Sequence, residues 1–282
     1  MRVAYFTAGT VGAGHLVRGL AMGRALRRRG FAGEYRAFGP ATPYPVAAGH
    51  QHCALAIRET ELRDPARAGA SEVASALCEF RPDLLLVDLF WAPLRHVLPL
   101  DGCECWLLVR TCPRAWFTGP PDTRFEPRQY RRVIAIEPFR HAAIRESVDP
   151  VVVCNPDECR PPTALRERLG VPAERRLVVA SHAGVAGELD ALARDATVVR
   201  LDLFDEQALF PAAEWLGGAD EVLTGGGYNA FWEARWLGYA PRTRFTPFAR
   251  TIDDQAWRLT NCATYPMRTN GADTLAATIA GR

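Results

Sequence analysis

The sequence predicts an α/β protein built as two Rossmann-like, doubly wound parallel-sheet halves facing a central cleft. Three observations carry that expectation. Short apolar strands alternate with helical stretches along most of the chain. Near the start, Val3-Ala4-Tyr5-Phe6 runs into the turn Thr7-Ala8-Gly9-Thr10-Val11-Gly12-Ala13-Gly14 and then a helix opening at His15. The same succession returns late, where Glu221-Val222-Leu223-Thr224 ends on Gly225-Gly226-Gly227 and a helix begins at Tyr228. The halves are expected to be residues 1–148 and 149–282, with the final helix crossing back to the first half.

In the first half, strands are expected at 2–7, 33–38, 84–88, 105–109 and 133–136. Leu16, Leu20, Met22, Ala25 and Leu26 recur near helical spacing, and Arg27-Arg28-Arg29-Gly30 closes that helix with cations and a glycine. Asp88 ends the strand that Arg81-Pro82-Asp83 opens, at the edge where open α/β sheets bind ligands. It could orient His15 or an acceptor hydroxyl, or cap the next element. Residues 111–130 hold Pro, Arg and aromatics without helical period and read as a loop beside an acceptor cleft.

The second half opens near Pro150-Val151-Val152-Val153-Cys154-Asn155-Pro156. A helix at 164–169, a strand at 177–180 and the turn Ser181-His182-Ala183-Gly184 follow. A strand at 197–201 precedes Asp202-Leu203-Phe204, an apolar pair that suits core or ligand, and a helix is expected at 208–216. Asp253 or Asp254 could cap the helix that Gln255 enters, and a last helix is expected at 270–282.

The two glycine turns carry the chemistry. Helix N-termini have unpaired N–H groups and a positive dipole end, so Gly225, Gly226, Gly227 and Tyr228 read as a diphosphate cradle. Asn229 and Glu233 share one helical face behind it, and Glu233 could accept from a pair of ribose hydroxyls. At the other turn, the dinucleotide fingerprint needs Gly or Ala three residues after Gly14, where Val17 stands. NAD is therefore not expected. The dipole disfavours a protonated His15, which suits a general base; the alternative is a histidine that only caps the loop.

In these spaced motifs the chain resembles a GT-B-fold nucleotide-sugar enzyme, closest in pattern to glycosyltransferase family 28 and the lipid-linked N-acetylglucosaminyltransferases of bacterial envelope synthesis. Gly12, Gly14 and His15 match that family's acceptor-facing loop, and Gly226, Gly227, Asn229 and Glu233 match its donor turn. Asn155-Pro156 resembles the Gly-Asn-Pro that opens the second domain, with Cys154 in place of glycine. The resemblance implies that Ser181 and Gly184 line the nucleotide and that Asp254-Gln255 reach the donor sugar. Gly12-Ala13-Gly14-His15-Leu16-Val17-Arg18 also resembles the Gly-x-Gly-His-x-x-Arg of the nucleotide-sugar hydrolases of pseudaminic acid synthesis, which adds Arg18.

The resemblance implies inverting transfer from a nucleotide diphosphate sugar, taken as a UDP-sugar, to a small-molecule or lipid-linked hydroxyl. His15 would be the base and Asp88 its partner, with no cofactor and no metal. A hydrolase using a His15-activated water, a non-catalytic nucleotide or sugar binder and an epimerase of the same fold stay open. Peripheral membrane association is compatible with a lipid-linked acceptor.

Composition bounds the rest. The 282 residues are 48% hydrophobic and 23% charged, with a net charge of only +2, which argues against a nucleic-acid partner. Every cation is arginine, which excludes a P-loop lysine, a pyridoxal Schiff base and a lysine nucleophile. The opening residues read as strand rather than signal peptide, and no apolar run has membrane-span length, so a cytoplasmic enzyme is expected. The eight cysteines read as reduced thiols. Cys103, Cys105 and Cys112, or Cys154 and Cys159, could suggest zinc, but paired Cys-x2-Cys knuckles are absent.

Overall fold

A computed structural model describes residues 1–9, 14–42, 52–120, 123–185, 187–195, 197–201 and 209–282. Gly12 and the pair Leu203-Phe204 lie outside the described residues. The first lobe runs β1 (Arg2–Phe6), α1 (Gly14–Arg28), β2 (Glu34–Gly39), β3 (His52–Ala54), α2 (Glu59–Leu62), α3 (Glu72–Phe80), β4 (Leu84–Asp88), β5 (Glu104–Val109), α4 (Arg114–Phe117), β6 (Arg132–Ala135) and β7 (Glu146–Ser147). The second runs α5 (Pro162–Leu169), β8 (Val178–Ala180), α6 (Glu188–Leu192), β9 (Val199–Arg200), β10 (Glu221–Gly225), α7 (Tyr228–Trp236), β11 (Thr243–Thr246), α8 (Gln255–Asn261) and α9 (Gly271–Ala280).

Among the described residues the first sheet has the order β3-β2-β1-β4-β5-β6-β7 and the second β11-β10-β8-β9, with every pairing parallel. Parallel strands are covered on both faces, which is why Val3 to Phe6 and Leu84 to Val87 are unbroken apolar runs, each residue no more than 1% exposed. Burying each large side chain of these runs is worth about 1.5–3 kcal/mol. Strand order reverses between β1 and β4, and again between β8 and β10. The crevice at such a reversal is where open sheets hold ligands. His15 and Asp88 stand at the first crevice; Ser181 and the three glycines stand at the second.

α1 explains how the lobes meet. Its buried residues include Val17, Leu20, Met22 and Leu26, and they cover more than one face because the helix packs on the first sheet and also on α7 and α9. Arg28, in its last turn, pairs with Glu158 and Asp273 of the second lobe, and Arg24 pairs with Glu214. Tyr228 adds a polar link: its hydroxyl donates to Ile136 O at 2.6 Å and accepts from Val151 N at 2.8 Å.

Differences from the sequence expectation are local. The helix expected at 208–216 is replaced over its described part by short 3-10 turns at Ala212–Glu214 and Leu216–Gly218, because Pro211 interrupts it. β3 and β7 were not expected; they are edge strands of three and two residues, too short to show a period.

Candidate functional site

The β1-to-α1 turn and the end of β4 build one cluster. His15 is 6% exposed and Asp88 is completely buried. His15 Nδ1 lies 2.8 Å from Asp88 Oδ2, which also receives Tyr5 Oη at 2.5 Å and Arg18 Nη2 at 2.8 Å. Asp88 therefore does not cap a helix; it gathers three side chains. Burial alone would raise its carboxyl, but the Arg18 guanidinium and His15 hold it well below the usual carboxylate range. Burial opposes the charge on Arg18 as well, and Asp88 more than restores it. Burial pushes His15 down to about 4, against the pull of Asp88, so the imidazole is neutral at pH 7.

Arg18 Nη2 also approaches His15 Nδ1 at 2.6 Å, and the two cannot bond each other while both donate to Asp88. A lone pair on Nδ1 would face a carboxylate oxygen at 2.8 Å, which is repulsive. We therefore assign the Nδ1 proton to Asp88, with Nδ1 and Nη2 as donors converging on one oxygen. Nε2 then keeps its lone pair, the requirement for a base. Two backbone features hold this arrangement. A Cβ on Gly9 would lie 2.3 Å from His15 Cδ2, so only glycine lets the turn close over the ring. Leu89, directly after Asp88, has φ +66, a conformation that leucine rarely adopts.

The β10-to-α7 turn faces the same cleft, a cavity of about 230 Å³ lined by His15, Arg18, Ser181, Gly227, Glu233 and Gln255 among others. The glycines divide their duties. A Cβ on Gly225 would meet His182 Cε1 at 2.5 Å, and one on Gly226 would meet Leu259 Cδ1 at 3.1 Å, so these two serve internal packing. Gly227 is the N-cap of α7 and meets nothing closer than Gln255 Nε2 at 3.8 Å. Gly14 likewise lines the cleft, while Gly184 leaves room for His182 and Glu188.

Several predicted residues sit in the cleft with their side chains already engaged. The Tyr228 hydroxyl is spent on backbone between the lobes, which leaves its main-chain N–H at the helix start. Asn229 donates to Gly14 O at 3.0 Å and accepts from Arg18 Nη1 at 3.2 Å, bridging the two turns. Gln255 accepts from Phe248 N at 2.9 Å. Asp254 caps α8 by accepting from Trp257 N at 3.0 Å; Asp253, one residue earlier, is the one that lines the cleft. Ser181 is buried at the cleft wall, beside His182, which bonds Glu188 at 2.8 Å.

Glu233 is the contrasting case. It is 8% exposed, its Oε1 is buried without a partner, and burial pushes its carboxyl up to about 8. A protonated carboxyl in a cleft is a group whose hydrogen bonds are open to a ligand.

Arg110 was missed. It follows β5, next to β4, at the same sheet edge as Asp88, and that position was the available signal. Beyond Phe90, whose ring meets His15 edge-on at 4.8 Å, a second cavity of about 290 Å³ is lined by Glu59, Arg63, Phe90, Pro93, Trp116 and Thr123. Among the described residues no group of three or more His, Cys, Asp or Glu could hold a metal ion, and no helix is long and apolar enough to cross a membrane.

This pair of lobes with the cleft between them defines a GT-B-like fold. No family model matches the chain, and no curated protein matches it in sequence. Among solved structures it is similar to Phytolacca americana UGT2 complexed with UDP-2fluoro-glucose and pterostilbene, at 12% identity and TM-score 0.58, covering 99% of this chain and 88% of that one. The spinosyn forosaminyltransferase SpnP is similar at 13% identity and TM-score 0.56, covering 99% and 93%. The Streptomyces sp. SF2575 glycosyltransferase SsfS6 follows at 15% and 0.56, covering 100% and 90%. At these identities the likeness carries the fold, and it does not reach the lipid-linked N-acetylglucosaminyltransferase type.

Proposed function

We propose that this protein transfers a sugar, with inversion, from a nucleotide diphosphate sugar to an acceptor hydroxyl, and that UDP-sugars are the first donors to test. One observation carries the reading. The neutral imidazole of His15, held at 2.8 Å by Asp88, shares a cleft with the amide start of α7 and the unpartnered Glu233. In the reaction, the acceptor hydroxyl gives its proton to His15 Nε2 as its oxygen attacks the anomeric carbon. The bond to the leaving phosphate breaks on the opposite side. Asp88 and Tyr5 stabilise the imidazolium as it forms, and the N–H groups opening α7 take the charge of the diphosphate. Glu233 accepts from the ribose hydroxyls, and the Gln255 amide turns toward the sugar.

For the acceptor we favour an apolar, ring-containing molecule in the cavity beside Phe90 and Trp116, where the Trp116 indole N–H is buried without a partner. The pairing of UDP-2fluoro-glucose with pterostilbene in the UGT2 complex supports that choice by analogy of fold. Such donors are made in the cytoplasm, and we place the protein there.

The test is incubation with UDP-sugars, with and without phenolic acceptors, on the wild type and His15→Ala. Acceptor-dependent glycoside that falls by about 10²-fold or more in His15→Ala, with UDP binding retained, is the expected result. Release of free sugar without any acceptor would replace transfer by hydrolysis, and equal turnover in His15→Ala would remove the base.

A further inference from the structure

Arg110 crosses from the acceptor lobe to the donor lobe. Its side chain starts one residue beyond β5 and is 5% exposed. Nη1 donates to Asp253 Oδ1 at 2.6 Å. Arg258 Nη2 donates to the same oxygen at 2.6 Å, so one carboxylate oxygen holds two guanidinium groups. Arg258 has a carboxylate besides, since Glu137 receives its Nε at 2.8 Å and its Nη2 at 3.2 Å. Arg18 has Asp88. Among the described residues, Arg110 has only its share of Asp253.

The Arg110 Nε–H is buried and has no acceptor among the described residues. A buried, charged donor without an acceptor is costly, and native structures tolerate it where a ligand completes the bond. Arg110 lines the same cleft as His15, Gly227, Asp253 and Gln255. What fits there is an acceptor atom that satisfies the free N–H, and an ionised one bonds a guanidinium more strongly than a neutral one. A phosphate oxygen is such an acceptor, and the flat guanidinium fork suits it.

We infer that Arg110 is a second anion-binding group of the cleft, supplied by the acceptor lobe, which donates to an oxygen of the diphosphate leaving group. The inference rests on the nucleotide-sugar reading above. As the glycosidic bond breaks, its electron pair stays on the leaving phosphate oxygen and the acceptor proton goes to His15. Arg110 keeps its own protons and acts by charge and hydrogen bonding. The diphosphate is then gripped from both lobes, by the opening of α7 on one side and Arg110 on the other.

The experiment is calorimetric titration of the full chain with UDP, UMP and uridine, for the wild type, Arg110→Gln, Arg110→Lys and Asp253→Asn, each checked for an unchanged melting profile. Arg110→Gln is expected to weaken UDP by about tenfold or more, with a smaller change for UMP and none for uridine. Arg110→Lys restores part of the loss. Asp253→Asn frees the guanidinium and leaves UDP binding equal or tighter. If Arg110 served only to tie the lobes, Asp253→Asn would weaken UDP as Arg110→Gln does, and that result overturns the inference. Equal loss for UDP and uridine in Arg110→Gln overturns it too. A wild type that binds none of UDP, dTDP, GDP and ADP fails the nucleotide-sugar reading itself, whereas a wild type that binds UDP beside an unchanged Arg110→Gln fails only Arg110.

Discussion

The two sides of the cleft treat their polar groups in opposite ways. Around His15, every charge is matched inside the protein: Asp88 accepts from Tyr5, His15 and Arg18, and Arg18 reaches on to Asn229. Across the cleft, Glu233 Oε1 is buried with nothing to bond among the described residues, and so is the Nε of Arg110, which the His15 lobe lends to that side by reaching Asp253. The first arrangement holds His15 in one orientation and one tautomer, as the proposed base would need before substrate arrives. The second leaves hydrogen bonds for a ligand to make, at a cost in stability that binding recovers. A rigid reacting group beside an unsatisfied binding surface is the division of labour this contrast teaches.

The largest effect should come from breaking the satisfied side. Asp88→Asn keeps the shape but removes the charge that fixes the His15 tautomer, and turnover is expected to fall about 10³-fold. Arg18 is left as an unpaired buried cation, so thermal or urea unfolding should show a loss of about 3–5 kcal/mol. Retained turnover with normal stability would show that Asp88 does not govern His15. With His15 as the proposed base, activity in the wild type would require its neutral form. With its pKa near 4, the acid limb of the pH-rate profile should lie well below the ordinary histidine range.

Substitution on the unsatisfied side should produce a smaller effect and one of mixed sign. In the free protein the Glu233 carboxyl titrates near 8, above its unfolded value of about 4.3. A raised folded pKa favours the folded state at low pH, and that advantage is lost as pH rises from the unfolded value through 8. Glu233→Gln should therefore melt higher than the wild type at pH 8–9 and bind UDP about tenfold more weakly, through poorer acceptance from the ribose hydroxyls. A lower melting temperature together with unchanged affinity would refute both. Wild-type UDP binding should release a proton below pH 8, so affinity climbs with pH up to about 8 and then levels. Calorimetry in buffers of different ionisation enthalpy reads that proton directly.

The smallest effect belongs to the ion pairs between the lobes at the protein surface. The Arg28 side chain is 23% exposed while it pairs with Glu158 and Asp273. Arg28→Ala should cost about 0.5–1 kcal/mol, less in high salt, without changing turnover.

Much of this was legible in the chain because local rules govern it. A buried parallel strand announces itself as an unbroken apolar run, as at Leu84-Leu85-Leu86-Val87, and a glycine turn before a helix announces a ligand edge. His15 and Asp88 were both read as candidates on those grounds, and the structure brings them together. What stayed hidden depends on the other lobe. Nothing near Asn229 in sequence says that its amide reaches Gly14, and nothing near Arg110 names Asp253 as its partner. Asp254 looked like a sugar ligand by resemblance, and local geometry uses its side chain as a helix cap instead. Glycine alone also misled in part, since Gly225 and Gly226 make room for His182 and Leu259, while Gly227 has open space where a side chain would stand.

The Tyr228 hydroxyl sits between Ile136 O and Val151 N, which flank the segment joining the two lobes. A single phenol therefore staples both ends of the connector to the first turn of the helix that faces the donor. The connector then behaves as a strut rather than a hinge. Any movement that swings the first lobe away from this helix must surrender the bond to Ile136 O and, with it, the alignment of the helix start.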